Sequence, residues 1–515
     1  MRRGWSQRPP YEGVEMISEP KEAGWPGPEE RFQAGLRLSR PAWLAAVLLI
    51  YACFEFPAYL VGNVKYLGMF GLSFALMFLI SGLCFESYFA KMAATLLRHR
   101  AAIARLLLLT LLLLLASVSQ LNQILMAHHM YLQARIVSLP VNRGTLGMYA
   151  AFTGVALLLA LRPTRTSTPI VLLALAWGIA IRIVALVEVP YTPDAADMLV
   201  AVNGACESLL RGANPYSQTF IASATDSFPL IYFPLLWLPY LPFKAVGIDI
   251  RWLNLLAQTG LYVFLWSLMR RRGAEGWKPF LLVFLILVPD MVFSVFYRQL
   301  SLYWLLGAVF VWLLWQEKWT WSAIAVSALA AMRLPAFTVL WLYLIYVWKR
   351  RGRRSAAVHA LIAVGMFVAL LAPFANAGIA RFRYVFFGRF VELAAKGGWQ
   401  QPLYALSMGG GLERIGLGVA RLPMQAVGVF VIGLLYLRSQ DVSYGTFVRV
   451  AAFTYAYFLW ISGFISIYYW FFVLVLLCTL YFIEAGDEKT VRVGELRIPS
   501  KQIEDTAQNG VQVGR

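Results

Sequence analysis

Charge is what this sequence has least of. Only 14% of its 515 residues are charged, while 60% are hydrophobic, too lean a supply to clothe an ordinary soluble surface. Acids are scarcer than bases, 26 against 45, which leaves a formal charge of +19. That excess is not laid out as a nucleic-acid face. Arginines gather at the ends of apolar runs, as in Arg98 to Arg105, Arg270-Arg271-Arg272 and Lys349 to Arg354, the pattern of loops on the cytoplasmic side of a membrane. Nucleic acid is not an expected partner; membrane lipid is.

Cysteine and histidine are nearly missing. Cys53, Cys84 and Cys478 lie in apolar runs and Cys206 stands alone in its loop, so no disulfide framework is expected. No cluster has zinc spacing. His128-His129 has no third ligand in view, and neighbours on a helix point different ways, so the pair reads as interfacial. There is no phosphate loop, nucleophile elbow or dinucleotide fingerprint. No cofactor is expected, and no feature calls for a divalent metal.

What is present is length. Apolar stretches run at about 43–61, 68–89, 106–126, 145–161, 169–189, 252–269, 279–296, 300–315, 320–332, 336–348, 356–375, 424–437, 447–464 and 468–483, several close to the roughly 20 residues that cross a bilayer. The fold class expected is an all-α integral membrane protein, a multi-span bundle of about fourteen crossings. Residues 1–42 and 485–515 read as loose cytoplasmic tails, 43–168 as an extra four-helix membrane module, and 169–484 as the core.

Two proline positions decide the topology. Were Phe228 to Gly247 a crossing, Arg270-Arg271-Arg272 would face outward, and four prolines in any case spoil a continuous helix. It is expected to lie at the outer face without crossing. Likewise Thr320 to Lys349 is expected as two short helices broken at Arg333-Leu334-Pro335, which keeps the Lys349 to Arg354 cluster inside and lifts Arg333 to the outer side. A guanidinium at that depth needs a partner, and a lipid phosphate is a suitable one. Within the spans Glu55, Glu86, Arg182 and Asp290 are isolated charges that can pair inside the bundle.

Nearly all the chemistry-bearing residues fall between Pro190 and Pro242. Asp194 and Asp197 follow the apolar run 169–189, and Asp194 has the position of a helix cap. An acid at a bilayer edge beside a long outer loop is where a base acting on a lipid-linked substrate belongs, and spacing favours Asp197. Glu207 and Arg211, four apart, are expected to pair along a helix; Asp226 reads as a loop acid. Tyr297-Arg298-Gln299, the basic and aromatic segment from Asn376 to about Arg421, and the turn Ser466 to Trp470 fall on the same outer face.

An acid in the first large outer loop, followed by Gly212-Ala213-Asn214-Pro215-Tyr216, resembles the polyprenol-phosphate-dependent glycosyltransferases of the GT-C superfamily. The Gly-x-Asn-Pro-Tyr element is similar to glycosyltransferase family 87 in particular, as is Tyr232-Phe233-Pro234-Leu235. Arg333-Leu334-Pro335 resembles that family's basic residue before proline in a broken helix, and Trp399 to Tyr404 and Ser466 to Tyr469 resemble its later outer-loop elements. The likeness covers roughly Pro169 to Ile483. The chain departs from the family at Ala201, where an aromatic is usual, at Arg298-Gln299, where Gly-Gln is usual, and in the four helices before Pro169.

The resemblance implies inverting transfer of a sugar, with mannose among the candidates, from a polyprenyl-phosphate donor to a hydroxyl of a glycolipid or glycan acceptor at the outer face of the cell membrane. It implies Asp197 as catalytic base with Asp194 in reserve. Arg333 is implied as the phosphate ligand, with Arg298 and Arg251 as further candidates. Asn214, Tyr216, Tyr232 and Gln401 are implied as substrate contacts. A lipid-linked sugar flippase or other transporter is the leading alternative, although it calls for matching halves and no internal repeat is visible; a non-enzymatic scaffold is a third.

Overall fold

A computed structural model describes Met77, Ile80 and residues 167–188, 197–221, 227–272, 278–287, 294–295, 298–388, 407–414, 416–462 and 469–484. Asp194, Gln401, Asp226, Asp290, His128-His129, Glu55 and Glu86 lie outside these residues, as do both tails and nearly all of the N-terminal module.

Helix dominates, as the composition demands. The order is α1 (Ser167–Glu188), α2 (Asp197–Leu210), a small hairpin β1 (Thr219–Ile221) and β2 (Ser227–Pro229), then α3 (Pro234–Trp237), α4 (Leu241–Ala245), α5 (Arg251–Arg272) and α6 (Lys278–Leu287). There follow α7 (Ser301–Trp315), α8 (Trp319–Ala330), α9 (Phe337–Arg351), α10 (Arg353–Leu371), α11 (Ile379–Arg383), α12 (Met408–Arg414), α13 (Arg421–Arg438), α14 (Tyr444–Ile461) and α15 (Trp470–Glu484). The hairpin is antiparallel, with Phe220 opposite Phe228.

Both proline-based expectations about helix continuity hold. From Pro234 to Ala245 the chain makes three short helical turns, each with a proline at its first or second position, where a missing N–H does no harm. Further on, α8 ends at Ala330, Arg333 is extended (φ −145°, ψ 132°), and Leu334–Ala336 form a single 3₁₀ turn before α9 begins. Pro335 explains the break: it can neither donate to the turn before it nor let Leu334 settle easily into a helix. At its other end α9 carries Lys349, Arg350 and Arg351 in the last turn, where cations complement the helix dipole, and Gly352 at φ 86° turns the chain into α10.

The long helices alternate between two ends of a bundle. At one end the Arg251 guanidinium bonds the Leu186 carbonyl and Asn254 bonds the carbonyls of Val295 and Arg298, while Arg333 meets Tyr469. At the other, Arg350 pairs with Glu317 and Lys349 donates to the carbonyls of Tyr436 and Ser439. The basic cluster from Lys349 to Arg354 and Arg333 therefore sit at opposite ends. Deep between them Arg182 is matched by neutral acceptors: Gln258 Oε1, Tyr262 Oη and the carbonyls of Gly178 and Ile286, all at 2.8–2.9 Å.

The centre is built on α7 and α15, with α5 and α14 against them. Nearly every residue of α15 is buried, as is all of α6, so these helices have protein on all sides. Two others are the reverse. Arg353–Ala377 and Gly418–Arg438 are long and apolar enough to cross a membrane, yet only 17% and 11% of their apolar windows are buried. Leu361, Val368, Val427 and Leu435 stand at least 60% exposed. A soluble core helix would be mostly covered, and open apolar faces of this extent belong against lipid or another apolar surface.

Close approach of α7 to α15 depends on Gly307. A Cβ there would stand 2.5 Å from the ring of the fully buried Phe472, whose neighbours Tyr303 and Tyr455 are themselves packed on it. Gly307→Ala should destabilise the bundle by about 1–3 kcal/mol through overpacking. Gly365→Ala on α10, where the added carbon meets open space, should leave the melting temperature of the purified protein unchanged or raise it, since alanine favours the helix. Equal melting temperatures for both variants and wild type would remove the close approach as a constraint.

Candidate functional site

The first large loop is tied down by its own motif. Asn214 accepts from the Tyr216 amide at 3.0 Å, and its side-chain nitrogen reaches the Phe374 carbonyl and Asn376. Pro215 starts the short helical turn that follows. Tyr216 is wholly buried, its hydroxyl donating to the Tyr232 carbonyl at 2.7 Å and accepting from the Trp237 indole at 3.2 Å. Its ring meets Trp237, Phe374, Phe382 and Phe386 edge-on. Burial pushes the phenol well above its ordinary range. Arg381 adds two bonds, to the carbonyls of Tyr216 and Gln218. Asn214 and Tyr216 thus anchor the loop, fastening it to the segment after α10.

Helix α2 is held just as firmly. Asp197 is its first residue. Gly204 lets the Phe220 ring lie where a Cβ would be only 2.4 Å from it. Cys206, read from sequence as a loop residue, is instead buried on α2, with its thiol pushed up to about 12 by burial; it is no nucleophile. Glu207 is the other correction. Its ion pair is with Lys244 on α4, at 2.9 Å, because four-residue spacing offers only a flexible surface neighbour whereas α4 packs directly on α2. The hydrogen bond from Lys244 lowers the Glu207 pKa, with Arg211 only a minor contributor.

The loop so anchored brings Tyr232 to Arg333. The Arg333 side chain is buried, with its guanidinium carbon 5.3 Å from the ring centres of both Tyr232 and Tyr469. Its Nη1 also donates to the Tyr469 hydroxyl at 2.9 Å. Aromatic faces attract a desolvated cation with about 2 kcal/mol or more. Tyr240 donates to Asn254 Oδ1 at 2.6 Å, and the Asn254 amide nitrogen holds the carbonyls of Val295 and Arg298 at 2.8 and 2.7 Å. Burial keeps the Tyr240 phenol protonated and therefore a donor.

One end of the bundle thus holds two clusters, Tyr232 and Tyr469 about Arg333, and Tyr240 and Asn254 about the Arg298 carbonyl. The other expected cations are differently placed. Arg251 grips the Asp249 carboxylate with both Nε and Nη2, at 2.9 and 2.7 Å, and Arg298 Nη1 reaches Ser294 at 3.2 Å. Tyr240 and Asn254 escaped the sequence reading. Tyr240 is lost in an aromatic-rich stretch, but an asparagine one turn into the apolar α5 was a usable signal, since a buried amide demands partners. Among the described residues no three His, Cys, Asp or Glu side chains gather as metal ligands. Compared with family models, characterised proteins and solved structures, the chain matches none.

Tyr216→Phe tests whether this tyrosine anchors the loop or touches substrate. It would leave the Tyr232 carbonyl and the Trp237 N–H short of a partner, costing about 1–3 kcal/mol. Thermal melting should register that loss, while any turnover assigned to the site stays constant per folded molecule. A fall in turnover with unchanged melting would make the hydroxyl a substrate contact.

Proposed function

We propose that this protein is a multi-pass membrane glycosyltransferase that moves a sugar from a polyprenyl-phosphate donor to a hydroxyl of a glycolipid or glycan acceptor. The observation that carries the reading is Arg333, a guanidinium held at the break between α8 and α9 by Tyr232 and Tyr469. Those three residues come from three separate segments that resemble one glycosyltransferase family. Their meeting point supports the resemblance without depending on any one short motif. The positive-inside bias assigns the end carrying Lys349 to Arg354 to the cytoplasm. The Arg333 end is then extracytoplasmic, where a lipid-linked donor, rather than a nucleotide sugar, is the available substrate.

In the proposed reaction an acceptor hydroxyl oxygen attacks the anomeric carbon as Asp197 takes its proton. The bond from that carbon to the phosphate oxygen breaks on the opposite face, so configuration inverts and polyprenyl phosphate leaves. Arg333 holds the phosphate and meets the charge that grows on the departing oxygen, a contact of a kind worth about 3–4 kcal/mol in the transition state. Arginine suits this task because its planar fork engages two oxygens at once. Asp197 is the first residue of α2, whose other end is tied through Glu207 to Lys244.

Purified protein should transfer sugar from at least one of a panel of polyprenyl-phosphate sugars. Asp197→Asn should slow that transfer by at least about 10²-fold while donor binding persists. Arg333→Ala should weaken binding of the polyprenyl-phosphate product as well as turnover, and Arg333→Lys should keep part of both. Loss of activity in Asp194→Asn with Asp197→Asn unaffected would show that the wrong acid has been chosen. Movement of an intact sugar lipid across vesicles without cleavage would make the protein a transporter instead.

A further inference from the structure

Immediately before α7, Gln299 is completely buried, yet neither its Oε1 nor its Nε2 makes a hydrogen bond among the described residues. Its surroundings are otherwise well matched. Asn254 uses both ends of its amide. Gln258 accepts from Arg182 and donates to Ser301, two residues beyond Gln299. Buried amides are matched almost without exception in folded proteins, and one left open at both ends calls for a partner that is absent.

Position and chemistry narrow that partner. Gln299 follows Arg298, whose carbonyl is held by Asn254, itself bonded by Tyr240, at the same end of the bundle as Arg333. It precedes Tyr303 by one helical turn, and the Tyr303 ring packs on Phe472, about one turn along from the Tyr469 that meets Arg333. A phosphate or carboxylate offers acceptors only, and a cation would use only the carbonyl oxygen. A primary amide with both ends open matches a group that both donates and accepts, as hydroxyls do.

We propose that the Gln299 amide binds hydroxyls of the transferred sugar, so that the Arg333 site reads the glycosyl group as well as the phosphate. The inference rests on the function proposed above and deepens it: the donor is recognised at two points, an anion at Arg333 and a polyol beside Gln299. Because the amide is closed off from solvent, the sugar engages it when the site opens to admit the lipid. A buried water would satisfy the same two atoms, and stability separates the alternatives. Replacing an unmatched amide by an apolar side chain stabilises or leaves stability unchanged, whereas removing a water-matched one leaves the water's other partners open.

The test uses full-length protein in nanodiscs and matched short-chain polyprenyl lipids: the bare phosphate, and the same phosphate carrying mannose, glucose or arabinose. Wild type should bind one glycosylated lipid more tightly than the bare phosphate. Gln299→Leu, and Gln299→Met as an unbranched alternative, should reduce that preference by about tenfold or more. They should leave affinity for the bare phosphate intact, and the ligand-free melting temperature unchanged or raised. Arg333→Ala should weaken both classes of lipid alike. A lowered melting temperature with an unchanged preference would assign the amide to a buried water and overturn the inference. Equal wild-type affinity for bare and glycosylated lipids would overturn it while leaving phosphate binding standing. Binding of none of these lipids would overturn the proposed function and this inference with it.

Discussion

A guanidinium kept out of water between two tyrosine rings is the constraint around which this structure is arranged. Holding Arg333 there requires three things at once. The α8–α9 path must break, which Pro335 ensures; the loop after α2 must deliver Tyr232; and α15 must begin where Tyr469 can meet the charge. Desolvating an arginine is costly, and the faces of Tyr232 and Tyr469 with the Tyr469 hydroxyl offset part of that cost.

The rest of the architecture serves that placement. The aromatic cluster about Tyr216 and the polar clasp of Asn214 fix a long loop against the segment after α10, and the ion pair from α2 to α4 steadies its middle. Below, α7 and α15 come close enough, through Gly307, to give the site a rigid floor. Such fixing would serve the proposed transfer, because a base and a phosphate ligand displaced by about 1 Å lose much of their effect. The apolar faces of α10 and α13 stay open, surfaces suited to lipid.

Much of this was legible from residue order alone. The helical class follows from low charge and long apolar runs, and the two interruptions follow from prolines at Pro234, Pro239, Pro242 and Pro335, since backbone chemistry acts locally. Arg333 stood out because a lone arginine before a proline has no place in a continuous span. The roles of Asn214 and Tyr216 were not legible. Motif spacing marks that they matter, but their partners Phe374, Phe382 and Asn376 lie some 160 residues away. Glu207 misled for the same reason, its nearest partner in sequence being a worse neighbour than one supplied by folding. Gln299 stood out from sequence only as part of the outer segment with Tyr297 and Arg298; its unmatched amide was not legible, because that is a property of its surroundings.

The central claim is that Arg333 holds a lipid phosphate, and a cryo-electron-microscopy map of the protein in nanodiscs with polyprenyl phosphate addresses it directly. The phosphate should lie within about 3 Å of the Arg333 guanidinium nitrogens, flanked by Tyr232 and Tyr469, with the polyprenyl tail leaving toward lipid. A phosphate bound instead at the opposite end, among Lys349 to Arg354, with the Arg333 site unaltered, would contradict it.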